Sequence, residues 1–146
     1  MFKYSQRSKK ELSTTHKLIQ FIFNEVIKHV DCSILEGHRT EKDQNEAFKN
    51  GTSLVKYPNS KHNSYPSMAV DAVPYPIDWN DKTRLAYFSG IVIGISRVLL
   101  LGTGYTLISG IDWDNDNNIK EHKFLDFPHF ELRKDGNNDT TTNDSD

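Results

Sequence analysis

At 146 residues, with 36% hydrophobic and 26% charged content, the chain has the size and balance of one soluble globular domain with a modest core. A formal net charge of −2 and a pI near 6.3 leave no basic footprint for nucleic acid. Cys32 is the only cysteine, which excludes a disulfide framework and a thiolate cluster, so any metal must rest on histidine and carboxylate.

The first residues, Met1–Arg7, lack the apolar run of a signal peptide. The expectation is synthesis in the cytoplasm, with release left to another factor if the substrate lies outside. Ser8-Lys9-Lys10-Glu11 has the capping-box pattern, and Leu12, Ile19, Ile22, Phe23, Val26, Ile27 and Val30 follow at helical spacing. One first helix ending near His29 is predicted, then a short strand around Ser33–Leu35. Thr40 and Asp43 suit the start of a second helix that Gly51 closes. Residues 52–67 read as a polar loop with Pro58 and Pro66. Met68–Val73 reads as a strand carrying Asp71 inward and ended by Pro74-Tyr75-Pro76.

Asp78 or Asn80 caps a third helix, from about Asp81 to Leu101, which Gly102 terminates. Its apolar stretch from Leu85 to Leu101 contains Ser89, Ser96 and Arg97, so a buried core helix is expected and membrane insertion is not. Tyr105–Ser109 and Phe130–Leu132 complete the strands. The folded domain is expected over 1–133, with a disordered polar tail over 134–146. Helices and short strands without βαβ alternation predict an α+β fold, a short antiparallel sheet flanked by about three helices.

The chemistry concentrates in Ser60-Lys61-His62-Asn63-Ser64-Tyr65-Pro66-Ser67-Met68-Ala69-Val70-Asp71 and in Asp126-Phe127-Pro128-His129-Phe130-Glu131. Two histidines and one carboxylate make a complete protein ligand set for catalytic zinc, with one position left for water. Asp126 and Glu131 flank the second histidine as possible general bases. The six histidines leave several ligand combinations open to spacing alone. His16, His29 and His122 sit in charged or helical surroundings and read as solvated. His38, beside Arg39, reads as a supporting or structural residue.

Asp112-Trp113-Asp114-Asn115-Asp116-Asn117-Asn118 alternates oxygen donors like a calcium loop. An EF-hand is excluded, because Asn117 stands at the sixth position and Lys123 at the twelfth. A looser Ca2+-responsive loop and a plain polar loop both remain open. Trp113 reads as a packing residue or a wall of the substrate groove, and Ser60 as a substrate contact or a turn cap. Cys32 reads as an inert buried thiol. No nucleophilic serine or cysteine and no phosphate loop is evident.

Ser60-x-His62, Ala69-x-Asp71 and Asp126-x-x-His129 together resemble the zinc D-Ala-D-Ala carboxypeptidase family, and more closely its phage L-alanyl-D-glutamate endopeptidase branch. Gly37-His38-Arg39-Thr40, Gln44, Gly51-Thr52-Ser53 and Asp112-Trp113-Asp114 extend the resemblance from about Ser5 to Leu132. The loop between His62 and Asp71 is longer than in many members, with Tyr65-Pro66-Ser67 at the turn, as in phage lysis enzymes. The resemblance implies a Hedgehog/DD-peptidase-like fold and one Zn2+ held by His62, Asp71 and His129. It also implies Asp126 as general base, Arg39 facing the developing oxyanion, and Gln44, Ser60 and Trp113 at the substrate. Glu131 would orient a ligand histidine. The implied activity is hydrolysis of peptidoglycan stem peptides at the L-Ala–D-Glu bond by a monomeric endolysin that needs a holin-type release route. The alternatives are a D,D- or L,D-carboxypeptidase, and a non-catalytic zinc-stabilised wall-binding module.

Overall fold

The computed structural model describes residues 1–136; the rest of the expected tail lies outside the described residues. The elements run α1 (Gln6–Ser13), α2 (Lys17–Val26), β1 (Cys32–Glu36), α3 (Glu41–Lys49), β2 (Ala69–Pro74), α4 (Lys82–Leu99), β3 (Tyr105–Ser109) and β4 (His129–Lys134). The strands form one antiparallel sheet in the order β1-β2-β4-β3. The α+β expectation holds. Strand β4 runs into the segment expected to be tail, as far as Lys134.

The single first helix is in fact two. Thr14 and Thr15 turn their hydroxyls back onto Glu11 O and Leu12 O, at 2.6 and 2.7 Å, and so compete with helix continuation. Ser67 then takes over the freed backbone: its N–H donates to Thr14 O and its carbonyl accepts from His16 N–H, both at 2.8 Å. His16 caps α2 by accepting from Leu18 N–H through Nδ1. The true cap of α1 is Ser5; Ser8 is buried and its hydroxyl accepts from Ile34 N–H. Asp81, not Asp78 or Asn80, caps α4 by accepting from Arg84 N–H. Among the described residues no helix is long and apolar enough to cross a membrane.

Alternation along the strands sorts the sheet into two faces. Ile34, Val70, Ala72, Leu107, Phe130 and Leu132 point to the core, where they meet Ile19, Ile22, Phe23 and Val26 of α2 and Phe88 and Val92 of α4. Phe130 sits at the centre, its ring edge-on to Phe23 at 5.8 Å and to Phe88 at 6.3 Å. The opposite face carries the polar residues of β2 and β4. Replacing Phe130 by Ala is expected to cost about 3–5 kcal/mol of stability in a urea titration. A loss below about 1 kcal/mol would contradict its central position.

Candidate metal centre

Residues 69–71 of β2 pair with 129–131 of β4, setting Asp71 directly opposite His129. Because side chains alternate, His129, Glu131 and Arg133 share the face that carries Asp71, while Phe130 and Leu132 lock the register from the core side. On β1 the pairing slips between Ile34 and Glu36: Ile34 faces Ala72, whereas Glu36 faces Asp71. This bulge turns Glu36 from the core face to the polar face.

His62 comes from the loop between α3 and β2 and is fully buried. Its Nδ1 lies 2.7 Å from Gly37 O, which accepts the ring N–H and leaves Nε2 to face Asp71 Oδ1 at 3.2 Å. The backbone at Gly37 must be bare, since a Cβ there would lie 2.3 Å from Thr14 Oγ1 and 2.4 Å from Glu11 O. His129 uses the opposite nitrogen. Its Nε2 lies 2.9 Å from Glu131 Oε1, and its Nδ1 is 3.4 Å from Asp71 Oδ1 with no hydrogen-bond partner. One donor atom each from His62, Asp71 and His129 falls within 4.8 Å of the others.

Burial opposes ionisation of Asp71, but the neighbouring imidazoles of His62 and His129 outweigh it and hold the carboxyl well below the usual range. Burial likewise opposes charge on His129, yet the carboxylates of Asp71 and Glu131 beside its ring raise its pKa well above that of free imidazole. Glu131 shows the same balance: burial raises its pKa, and His129 and Arg133 lower it further than that. A buried imidazole nitrogen without a partner, aimed at a carboxylate between two histidines, fits a divalent cation.

The remaining predicted site residues divide. Arg39 is buried; its guanidinium donates to Glu36 and, at 2.9 Å, to Gln44 Oε1. Gln44, which the resemblance implies at the substrate, lies in the same buried network. It is fully buried, its amide donates to Ser53 Oγ and Val55 O, and its oxygen accepts from Arg39 and Asn63. No donor of that amide remains for a ligand, so Gln44 is scaffold for Arg39. Trp113, read as a packing residue or a groove wall, is fully buried. Its ring lies 5.5 Å from that of His129, and its indole N–H donates to Phe124 O. Ser60 caps the turn, accepting from His62 N–H, and lines an open groove of about 530 Å³ with Asn59, Lys61, Ser64 and Met68. His38 is structural, with Nδ1 against Ser64 O and its ring edge-on to Tyr65.

Asp126 belongs to the turn that delivers His129. Its N–H donates to Gly110 O, Gly110 N–H donates to His129 O at 2.7 Å, and His129 N–H closes back on Asp126 O. A Cβ on Gly110 would stand 2.2 Å from Asp126 O and 3.0 Å from His129 Cβ, so that contact too requires glycine.

A second cluster lies on the loop after β3. Asp112, Asp114, Asp116, Glu121 and His122 bring one donor atom each within 4.8 Å of one another. His122, expected to be solvated, is nine-tenths buried there; its Nε2 has no hydrogen-bond partner and lies 3.4–3.7 Å from Asp112, Asp114 and Glu121. Its charged sequence neighbours concealed this enclosure. Shared protons with Asp116 and Asp114 push the Glu121 carboxyl up to about 7.

Two imidazoles and a carboxylate converge on the polar face of the antiparallel sheet of this α+β protein, a donor set that could hold a metal ion. The profile of the family described as phage L-alanyl-D-glutamate peptidase matches residues 1–133, and the chain belongs to that family. Over 85 residues it is 34% identical to the L-alanyl-D-glutamate peptidase of Escherichia phage T5. That alignment covers 55% of this chain and 61% of the relative, so the chain spans less than two thirds of that protein. The crystal structure of the L-Ala D-Glu endopeptidase ChiX of Serratia marcescens shares the fold, with a TM-score of 0.67 at 24% identity. The match covers 91% of this chain and 90% of that one.

Gly110→Ala is expected to destabilise the protein by about 1–3 kcal/mol through overpacking against the 126–129 turn. Gly90→Ala, where a Cβ meets nothing within 4 Å on α4, should stabilise it by about 0.5–1 kcal/mol. Equal effects at the two positions, read from urea midpoints, would remove the case for close approach at Gly110.

The charge pattern gives a pH prediction. Because its pKa is raised, His129 is protonated at pH 7 in the metal-free protein and must shed a proton to bind a cation. Cation affinity should therefore weaken as pH falls, and binding at pH 7 should release a proton. Calorimetry in buffers of different ionisation enthalpy measures that release, and heats independent of buffer would count against it. In chelator the signs differ. The depressed Asp71 and Glu131 contribute stability above about pH 4 that is lost as pH falls, and the raised His129 contributes stability that is lost only as pH rises through its folded value.

Proposed function

We propose that the protein is a zinc peptidase that hydrolyses the L-Ala–D-Glu bond of peptidoglycan stem peptides, as a monomeric phage lysis enzyme reaching the wall by a holin-type route. The observation that carries the reading is the convergence of His62 Nε2, Asp71 and the unpartnered His129 Nδ1, in a chain of this family. A zinc ion held by these three residues supplies Lewis acidity and a water of lowered pKa.

The other steps fall to the chain's own residues. Asp126, fixed at its backbone by Gly110, accepts the proton of the attacking water and passes it to the departing amine of D-Glu. Arg39, aligned by Glu36 and Gln44, offers its guanidinium to the charge that develops on the carbonyl oxygen. The groove along Ser60 and Lys61, formed by the loop that carries His62, receives the stem peptide. Gly37 and Glu131 keep each ligand histidine in one tautomer. At the loop after β3, the clustered carboxylates of Asp112, Asp114 and Asp116 are hard oxygen donors of the kind that would suit a Ca2+ effect.

Digestion of defined peptidoglycan, with termini identified by mass spectrometry, tests the reading. New amino termini on D-Glu are expected, and their formation should stop with chelator and in His129→Ala. Asp126→Asn should lose activity by about 10²–10⁴-fold while keeping its zinc. Release of free D-alanine would instead establish a carboxypeptidase, and wall binding without any peptide product a non-catalytic module.

A further inference from the structure

His129 is held from two sides by elements that share one cation. Its Nε2 donates to Glu131 Oε1 at 2.9 Å, and Glu131 is almost fully buried. The other carboxylate oxygen, Oε2, accepts from Arg133 Nε at 2.8 Å. The same guanidinium reaches across to the loop after β3 and donates to Trp113 O at 3.0 Å. Trp113 in turn lays its ring 5.5 Å from His129. One arginine therefore joins the carboxylate that grips the imidazole edge to the backbone of the indole beside it.

The strand makes this arrangement possible. His129, Glu131 and Arg133 stand at alternate positions of β4 and so project from one face in series. An arginine suits the far end because its planar fork can bond two acceptors in fixed directions, which a lysine ammonium cannot. Glu131 would otherwise be a buried carboxylate with one oxygen unpaired.

We propose that Arg133 is a positioning residue for His129, fixing the imidazole through Glu131 on one side and Trp113 on the other so that Nδ1 stays aimed at Asp71. The proposal rests on His129 being a zinc ligand. Arg133 bonds Glu131 and Trp113 O and stands outside the His62, Asp71 and His129 donor set; its effect is on how well the ligand is pre-set. Loss of such a partner weakens metal binding by about 10–100-fold.

The test compares Arg133→Met, Arg133→Lys and Glu131→Gln with the unaltered full chain, in three readouts. These are zinc affinity by competition with a chromogenic chelator, kcat against KM on wall fragments, and the His129 Nε2–H resonance of the metal-free protein. Arg133→Met should bind zinc about 10–100-fold more weakly, lower kcat with KM held, and exchange the Nε2–H faster. Arg133→Lys should fall between it and the parent. Wild-type zinc affinity and an unchanged Nε2–H signal, with only a lower melting temperature, would show a merely structural residue and overturn the proposal. If Arg133→Met does not fold, parental zinc affinity in both Arg133→Lys and Glu131→Gln overturns it equally. His129→Ala separates the two readings. Zinc affinity retained in that variant removes the ligand assignment and the proposal together, whereas zinc lost there and retained in the Arg133 variants removes the proposal alone.

Discussion

The pairing of β2 with β4 is the constraint on which the rest of the structure depends. It is short, running only from Ala69 opposite Glu131 to Asp71 opposite His129. Yet it sets two things at once. On one face it aligns Val70 with Phe130 in the centre of the core; on the other it brings a carboxylate against an imidazole. A slip of β4 by one residue would exchange its faces and drive His129 into hydrocarbon, away from Asp71, while exposing Phe130. The apolar contacts of Phe130 with Phe23 and Phe88 therefore hold the polar site in register without touching it.

Around that pairing, buried polar groups are satisfied in a layer that leaves little freedom. The β1 bulge turns Glu36 to the site face, Glu36 meets Arg39, and Gln44 ties Arg39 to Asn63 and Ser53. Each link spends a donor or acceptor that would otherwise be stranded out of water, so the network fixes rotamers as well as charge. Gly37 and Gly110 complete the layer by letting backbone carbonyls come within the space a methyl group would fill. The two positions serve the two histidines separately, Gly37 for His62 and Gly110 for the turn that carries His129.

Much of this was legible in the sequence, and the failures share a cause. The strands, α3, α4 and the convergent His62, Asp71 and His129 follow from periodicity, punctuation and motif order, which are local or carried by the family pattern. The break between α1 and α2 was hidden because Ser67, far along the chain, supplies the hydrogen bonds that make a non-helical Thr15 affordable. The family pattern brings Gln44 and Trp113 to the site, but it does not carry their saturated hydrogen bonds and burial, which are tertiary facts. His122 misled for the converse reason: charged neighbours in sequence imply solvent, while in space they fold around the ring.

The two ligand histidines present different nitrogens, and their places in the fold account for it. His129 sits on a strand directly beside Asp71, so the nitrogen nearer its backbone, Nδ1, already lies at the carboxylate, and the far nitrogen is left for Glu131. His62 approaches from a loop and must extend, so its far nitrogen, Nε2, meets Asp71 while Nδ1 turns back to Gly37 O. Each ring thus has its non-facing nitrogen committed to an acceptor of fixed position, one a backbone carbonyl and the other a carboxylate. The carbonyl is set by the chain path and cannot adjust, whereas the carboxylate can rotate unless something holds it. That asymmetry makes His129 the ligand whose aim depends on a further side chain, and Arg133 is the group bonded to the free oxygen of Glu131.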